Sequence, residues 1–193
     1  MRPLRTCCDG IWEFLRSLEW PALNALKPGR ACAEITASLS GLGLSASQEL
    51  VALFGWKDGT IVKSGDTLDD LHFFPGFYLL SLADATSIYT SMRNTEAWDS
   101  CWFPVFANGG GDFYAVKLDR GKHESTEVVG YIRGEPEHPV EYVSLTSMMN
   151  TILTCFEKQY FFVSPHGYLE ADDEAHARVA RRFNPDLAVW QNP

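Results

Sequence analysis

The first part of the chain shows helical patterns separated by polar breaks. Residues 9–20 place their apolar side chains on one helical face behind Asp9, a residue type that can cap a helix. Residues 31–43 form a second helical pattern that ends in glycines. Residues 44–56 form a third, which opens with a capping box headed by Ser45. The pattern therefore predicts three helices before residue 57.

A strand and a further helix follow. Gly59 is predicted to end the third helix, and residues 63–70 are a polar linker. Residues 77–82 are apolar and strand-like. Ser81 then opens a second capping box, which predicts a helix over residues 83–93.

From Trp102 onward the apolar period changes from helical to extended. Four short runs rich in aromatic and β-branched residues are separated by turn residues, the pattern of an antiparallel meander: 102–107, 113–118, 127–133 and 140–145. A core-facing helix over 147–161 and a last helix over 172–182 follow. The predicted fold class is α+β, with a central, mostly antiparallel sheet flanked by helices.

The longest glycine run lies between two of these predicted strands. A phosphate-binding loop needs a helix after its glycines, whereas a strand headed by Asp112 follows here, and a carboxylate there repels phosphate. A tight turn fits better, because its residues tolerate positive φ: Asn108, Gly109, Gly110 and Gly111. Asp112 can accept backbone hydrogen bonds in that turn.

Composition indicates one folded domain with an appendage. The chain has 193 residues, of which 46% are hydrophobic, and its net charge is −9. Residues 1–30 carry five basic and three acidic residues and are predicted to form an N-terminal helical extension. Residues 31–193, predicted to be a single domain that includes the last helix, hold 11 basic and 22 acidic residues. An acidic body of this kind repels nucleic acid and attracts basic proteins, although such charge also keeps proteins soluble.

Neither metal nor cofactor chemistry is indicated by the sequence. The five cysteines lack C-x-x-C spacing, and the five histidines lack metal-ligand spacing. No apolar run has the length of a membrane span, and the N-terminus lacks the features of a secretory signal, so we expect a cytoplasmic protein. A thiol triad of Cys101, His123 and Asp112 is conceivable near the meander. It is disfavoured because Cys101 precedes a strand and not a helix N-terminus.

Three ordered pieces of the chain together resemble the SUKH superfamily. They are "ITASLSGLGLSASQELVALFGWKDGT", "FYLLSLADATSIY" and the segment that begins "WFPVFANGGGDFYAVKLD" and runs to "SLTSMMNTIL". The resemblance covers residues 32–160, and Ser45 stands where the family usually has proline. This superfamily contains many bacterial toxin-immunity proteins and the yeast Knr-type regulators of cell-wall assembly.

The resemblance implies a non-enzymatic protein-binding domain without catalytic residues, metal or cofactor. The first expectation is an immunity protein that neutralises a basic toxin effector such as a nuclease. The alternative is an intracellular scaffold or regulator of the Knr-type branch. From the charge and the predicted loops, the expected partner-binding residues are Asp66, Asp69, Asp70, Trp102, Asp112, Glu135 and Glu137.

Overall fold

The computed structural model describes residues 1–118 and 126–191. The helices in these residues are α1 Leu4–Ser17, α2 Ala22–Ala25, α3 Cys32–Gly41, α4 Gln48–Trp56, α5 Leu82–Met92, α6 Leu145–Glu157 and α7 Asp173–Phe183. The strands are β1 Leu26–Pro28, β2 Lys57–Thr60, β3 Tyr78–Leu79, β4 Trp102–Ala107, β5 Phe113–Lys117, β6 Val128–Tyr131, β7 Val140–Tyr142, β8 Phe161–Val163 and β9 Leu169–Ala171.

The central element is an antiparallel sheet of five strands in the order β3-β4-β5-β6-β7. Four of these strands, β4 to β7, are consecutive in the chain, as the predicted meander requires. Two small antiparallel pairs, β1 with β2 and β8 with β9, lie outside it. With helices packed around the sheet, the predicted α+β class is confirmed.

Alternation along the strands divides the sheet into two apolar faces. One face contributes Phe103, Val116 and Val128 to the main hydrophobic cluster, which also contains Met148 and Phe156 of α6. The other face carries a smaller cluster built mainly from aromatic side chains of β4 to β6 and of the loop before β4. We call this second side the outer face of the sheet.

The N-terminal segment shares the main core. Ile11 and Leu15 of α1 are fully buried in the same cluster as α6. The backbone N–H of Arg2 donates to Asn150 Oδ1 at 2.9 Å, and Asn150 Nδ2 donates back to the Arg2 carbonyl at 2.9 Å. The boundary drawn at residue 30 remains a prediction, but the residues before it dock on the rest of the protein.

The prediction for α1 was wrong at its start. The helix begins at Leu4, after Pro3, and ends at Ser17, so Asp9 lies inside it and does not cap it. Instead, Asp9 Oδ1 accepts a hydrogen bond from Trp56 Nε1 at 2.8 Å. This contact joins α1 to α4 across 47 positions of sequence.

Two other local predictions were wrong and one was confirmed. α4 is capped by Ser47, whose side chain accepts from the Leu50 N–H, and not by Ser45. Gly59 does not end a helix but lies in β2, with φ +73°. The Ser81 cap of α5 is confirmed, since its hydroxyl accepts from the Asp84 N–H at 3.1 Å.

Within the described ranges, 1–118 and 126–191, no helix has both the length and the apolar character needed to cross a membrane.

Candidate partner-binding site

The glycine run forms the turn between β4 and β5, as predicted. Asn108 Oδ1 accepts from the N–H groups of Gly110 at 2.7 Å and Asp112 at 3.1 Å, so the asparagine side chain holds the loop closed. The φ angles of Gly109 and Gly111 are +81° and +108°, whereas that of Gly110 is not positive. Asn108 to Gly111 therefore connect two neighbouring strands of the sheet as a tight turn.

Two acidic loops flank this turn at one end of the sheet. A Cβ atom added to Gly109 would overlap the Leu68 side chain, and one added to Gly111 would lie 2.9 Å from Arg133 Cδ. Leu68 directly precedes the acids Asp69 and Asp70. Arg133 lies in the β6–β7 loop, which also carries Glu135 and Glu137. The glycines thus let three loops, 61–72, 108–112 and 132–139, approach one another closely.

The first acidic group, Asp66, Asp69 and Asp70, is exposed to solvent. Asp66 Oδ2 accepts from the Lys63 N–H at 2.8 Å, and Asp70 accepts from the Thr67 hydroxyl. Asp69 lies 3.9 Å from His72 Nδ1, and burial lowers the pKa of this histidine although Asp69 opposes the shift. These local contacts fix the carboxylates but leave them accessible to a partner.

The second group, Glu135 and Glu137, lies in the loop between β6 and β7 and is also exposed. The Glu135 N–H donates to the Ile132 carbonyl at 3.2 Å, and the Gly130 N–H donates to the Pro139 carbonyl at 3.1 Å. Proline at 136 and 139 further restricts the backbone. This loop therefore holds its acids in a defined position.

Asp112 has a different environment from these acids. It is half-buried, and its Oδ2 accepts from Asn108 Nδ2 at 2.6 Å while its Oδ1 accepts from the Arg133 N–H at 2.9 Å. Both carboxylate oxygens are thus occupied by the protein itself. This geometry assigns Asp112 to positioning the β6–β7 loop against the turn, and contact with a partner stays a prediction.

Trp102 lies in an aromatic cluster on the outer face. Its ring meets Trp98 edge to face with centroids 5.8 Å apart, and Trp98 in turn contacts Tyr131 at 5.0 Å and Phe113 at 5.9 Å. Trp98 Nε1 donates to the Trp102 carbonyl at 3.0 Å. Trp98 is buried, whereas Trp102 is only partly buried and keeps accessible ring surface.

A groove of about 600 Å³ opens beside this cluster, and we call it the acidic-aromatic groove. It is lined by Glu96, Ala97, Trp98, Asp99, Trp102, Glu135, Pro136 and His138. Two predicted residues, Trp102 and Glu135, thus come together in one site. Asp66 and Asp70 do not belong to it and line a separate pocket beside Lys63.

Sequence reasoning missed four polar or aromatic residues of the groove: Glu96, Trp98, Asp99 and His138. The available signal was the stretch "NTEAWDSCW", in which two acids lie close to two tryptophans just before β4. His138 had no such signal. It reaches the groove because the β6–β7 loop folds back, so that its ring packs against Tyr131 at 4.4 Å and Trp102 at 5.8 Å.

The conceivable thiol triad gains no support from the described geometry. Cys101 directly precedes β4 and Asp112 follows the turn after it, so the six residues of β4, about 20 Å of extended chain, separate them. The third member, His123, lies outside the described residues. Among the buried cysteines, burial raises the pKa of Cys7 to about 11 and that of Cys155 to about 12, so both thiols remain protonated at neutral pH.

In the part of the chain that the structure describes, no group of three or more His, Cys, Asp or Glu side chains is arranged to hold a metal ion. Comparison with known proteins adds no assignment, because no protein-family model matches the chain and no curated protein matches it.

Proposed function

We propose that this protein is a non-enzymatic protein-binding domain, an immunity protein that binds and neutralises a basic toxin effector. The resemblance of residues 32–160 to the SUKH superfamily supports this class of function. The acidic balance after residue 30 supports a basic target, of which nucleases are the obvious class, since their substrate-binding surfaces carry positive charge.

The observation that carries the proposal is the acidic-aromatic groove. Its aromatic residues offer apolar contact area of the kind that anchors protein interfaces, and its rim carries three carboxylates, Glu96, Asp99 and Glu135. Exposed Glu137 and the aspartates at 66, 69 and 70 extend the negative charge along neighbouring loops. A partner large enough to cover both the groove and these loops would contact both features.

The test is neutralisation of a defined toxin. A large toxin gene is first sought beside the gene of this protein, and the C-terminal domain that it encodes is then expressed in cells with and without the protein. Cell survival and complex formation are measured. We expect survival and a stoichiometric complex with the native protein. Trp102→Ala combined with Glu135→Lys should abolish both.

Glu170→Lys is the matched control, because Glu170 is exposed on β9, outside the five-stranded sheet, and should leave neutralisation intact. A toxin that remains lethal and unbound in the presence of the native protein would refute the immunity function. A regulatory partner bound through the same groove would then support the Knr-type alternative.

A further inference from the structure

The acidic-aromatic groove has a charge that its own lining does not balance. Glu96, Asp99 and Glu135 line it, and none of its lining residues is Lys or Arg. No ion pair to these three carboxylates is found within residues 1–118 and 126–191. The groove therefore presents a negative field to whatever enters it.

The basic residues near the groove in sequence are engaged elsewhere. Arg93 lies over the ring of Tyr89, with its guanidinium carbon 5.9 Å from the centroid. Lys117, which pairs with Trp102 across the β4–β5 hairpin, forms an ion pair with Glu127 at 3.2 Å. Arg93 and Lys117 are thus engaged by Tyr89 and Glu127, and Arg133 of the β6–β7 loop lies at the β4–β5 turn, beside Gly111.

His138 supplies a polar atom without a partner. Its Nδ1 is buried and has no hydrogen-bond partner among the described residues. Because this nitrogen is buried, His138 contributes its ring to the groove wall, where it packs against Trp102 at 5.8 Å. Trp102, whose partly accessible ring contacts His138, adds an indole surface, the aromatic group with the strongest attraction for cations.

The walls of the groove are held in place before any ligand enters. Asp99 Oδ1 accepts from the Cys101 N–H at 2.8 Å, and the Asp99 carbonyl accepts from the Trp102 N–H at 2.9 Å. Trp98 Nε1 fixes the same segment through the Trp102 carbonyl. A preformed site of this kind loses little conformational entropy on binding.

From these features we infer that the acidic-aromatic groove receives an arginine side chain of the protein partner. A guanidinium group is planar, stacks on an indole and presents five N–H donors in a fixed fork. It can meet carboxylates of both loops that line the groove while it stacks on the Trp102 ring. A lysine ammonium has three donors at one point and cannot stack, so it satisfies fewer of these groups.

The identity of the partner rests on the proposed function, but the specificity of the groove can be tested alone. The probe is the capped tripeptide acetyl-Gly-Arg-Gly-amide, titrated into the full-length protein while side-chain NMR signals of Trp102 and His138 are followed. We expect saturable shifts of these signals with a Kd on the order of millimolar. The same peptide with lysine should bind more weakly, and the citrulline peptide, which lacks the charge, should produce no saturable shift.

Variants inside and outside the groove test whether its lining residues bind the peptide. Glu135→Gln and Trp102→Leu should each weaken binding of the arginine peptide by roughly two- to fivefold. Glu170→Gln removes an equal charge on β9, outside the groove lining, and Trp12→Leu removes a tryptophan on α1. Both should leave the affinity unchanged, and thermal unfolding of every variant checks that it is folded.

The inference is overturned if the citrulline peptide binds as well as the arginine peptide, or if no saturable shift is seen. Equal losses from Glu135→Gln and Glu170→Gln would also overturn it, because the general field alone would then explain binding. Arginine-selective binding without toxin neutralisation would refute the proposed function and keep the groove assignment. If Trp102→Leu and Glu135→Gln still neutralise the toxin and the native protein does not bind the arginine peptide, the groove assignment is refuted and the proposed function is kept.

Discussion

At Gly109 and Gly111 the backbone has φ angles of +81° and +108°, which side chains with a Cβ adopt only at a cost. Gly110, between them, does not have a positive φ, and a Cβ there would make only ordinary contacts, 3.4–3.7 Å, with the Asn108 side chain. Of the three glycines that the sequence analysis named as tolerating positive φ, Gly109 and Gly111 adopt it and Gly110 does not. Because Gly109 and Gly111 lack a Cβ atom, the side chains of Leu68 and Arg133 can approach the backbone of the turn. A turn pattern in the sequence does not reveal these contacts.

Gly111→Val should therefore destabilise the protein by about 1–3 kcal/mol, through strain at positive φ and contact with Arg133. Gly110→Ala, the neighbouring change without either effect, should cost less than about 0.5 kcal/mol. Denaturant unfolding of both variants measures the difference. Equal losses at the two positions would mean that the φ pattern of this turn is assigned incorrectly.

At the scale of elements, predictions succeeded where a local pattern was unambiguous. Ser81 is followed at the right spacing by Asp84, and α5 begins there. They failed where the deciding contact is distant: Asp9 looks like a cap, but its carboxylate bonds Trp56, and no local pattern encodes that contact. Ser45 and Ser47 are both plausible caps, and the prediction chose the wrong one. β1 and β2, of three and four residues, are too short for an alternating pattern to identify.

The contact between α7 and the five-stranded sheet can be tested through the pH dependence of stability. His176 of α7 lies 3.2 Å from the Tyr142 hydroxyl of β7, and its ring also meets Phe161 and Trp190. Burial lowers the pKa of His176 from 6.5 to about 4, although Asp173 opposes the shift. Between these two values the unfolded chain binds a proton that the folded protein does not, so stability falls as the pH drops from about 6.5 towards about 4.

His176→Phe keeps a ring in place but removes this titration. From pH 7 to pH 5 the native protein should lose about 1–2 kcal/mol more stability than the variant, as measured by denaturant unfolding at each pH. Burial raises the pKa of Glu141 and so acts in the opposite direction, but it is common to both proteins and cancels in the comparison. His166→Asn, at an exposed turn position, should keep the native pH dependence. A pH dependence unchanged by His176→Phe would contradict this account.

At the scale of the whole molecule, the sequence identified two residues of the groove, Trp102 and Glu135, but neither the other lining residues nor their arrangement. Acid-rich loops and an aromatic residue beginning a strand can be read directly from the chain, which is why Trp102 and Glu135 were expected. That these two share a groove depends on two loops folding over the outer face of the sheet. His138 joins them through ring packing on Trp102 across 36 positions of sequence (138 − 102), and apolar periodicity carries no information on such a contact.

The distribution of charge over the molecule leads to the last prediction. Exposed Asp69 and Asp70 lie beside the β4–β5 turn and outside the groove, so they should act on a basic partner through the field and not through direct anchoring. Rim charges of this kind mainly set the association rate, whereas a central aromatic residue sets the lifetime of the complex. Asp69→Lys with Asp70→Lys should slow association with the toxin domain roughly tenfold at low salt and flatten its salt dependence. Trp102→Leu should mainly speed dissociation.

The matched control for this steering is Glu157→Lys with Glu170→Lys, which changes the net charge equally on α6 and β9, away from the outer face. Stopped-flow association rates across salt concentrations distinguish the two double variants. If steering is local, the control changes the rate much less than the reversal at 69 and 70, since charges beyond about 10 Å are largely screened at 0.1 M salt. Equal slowing by both would show that only net charge matters. Rates insensitive to salt and to both reversals would leave shape and apolar contact in the groove as the basis of recognition.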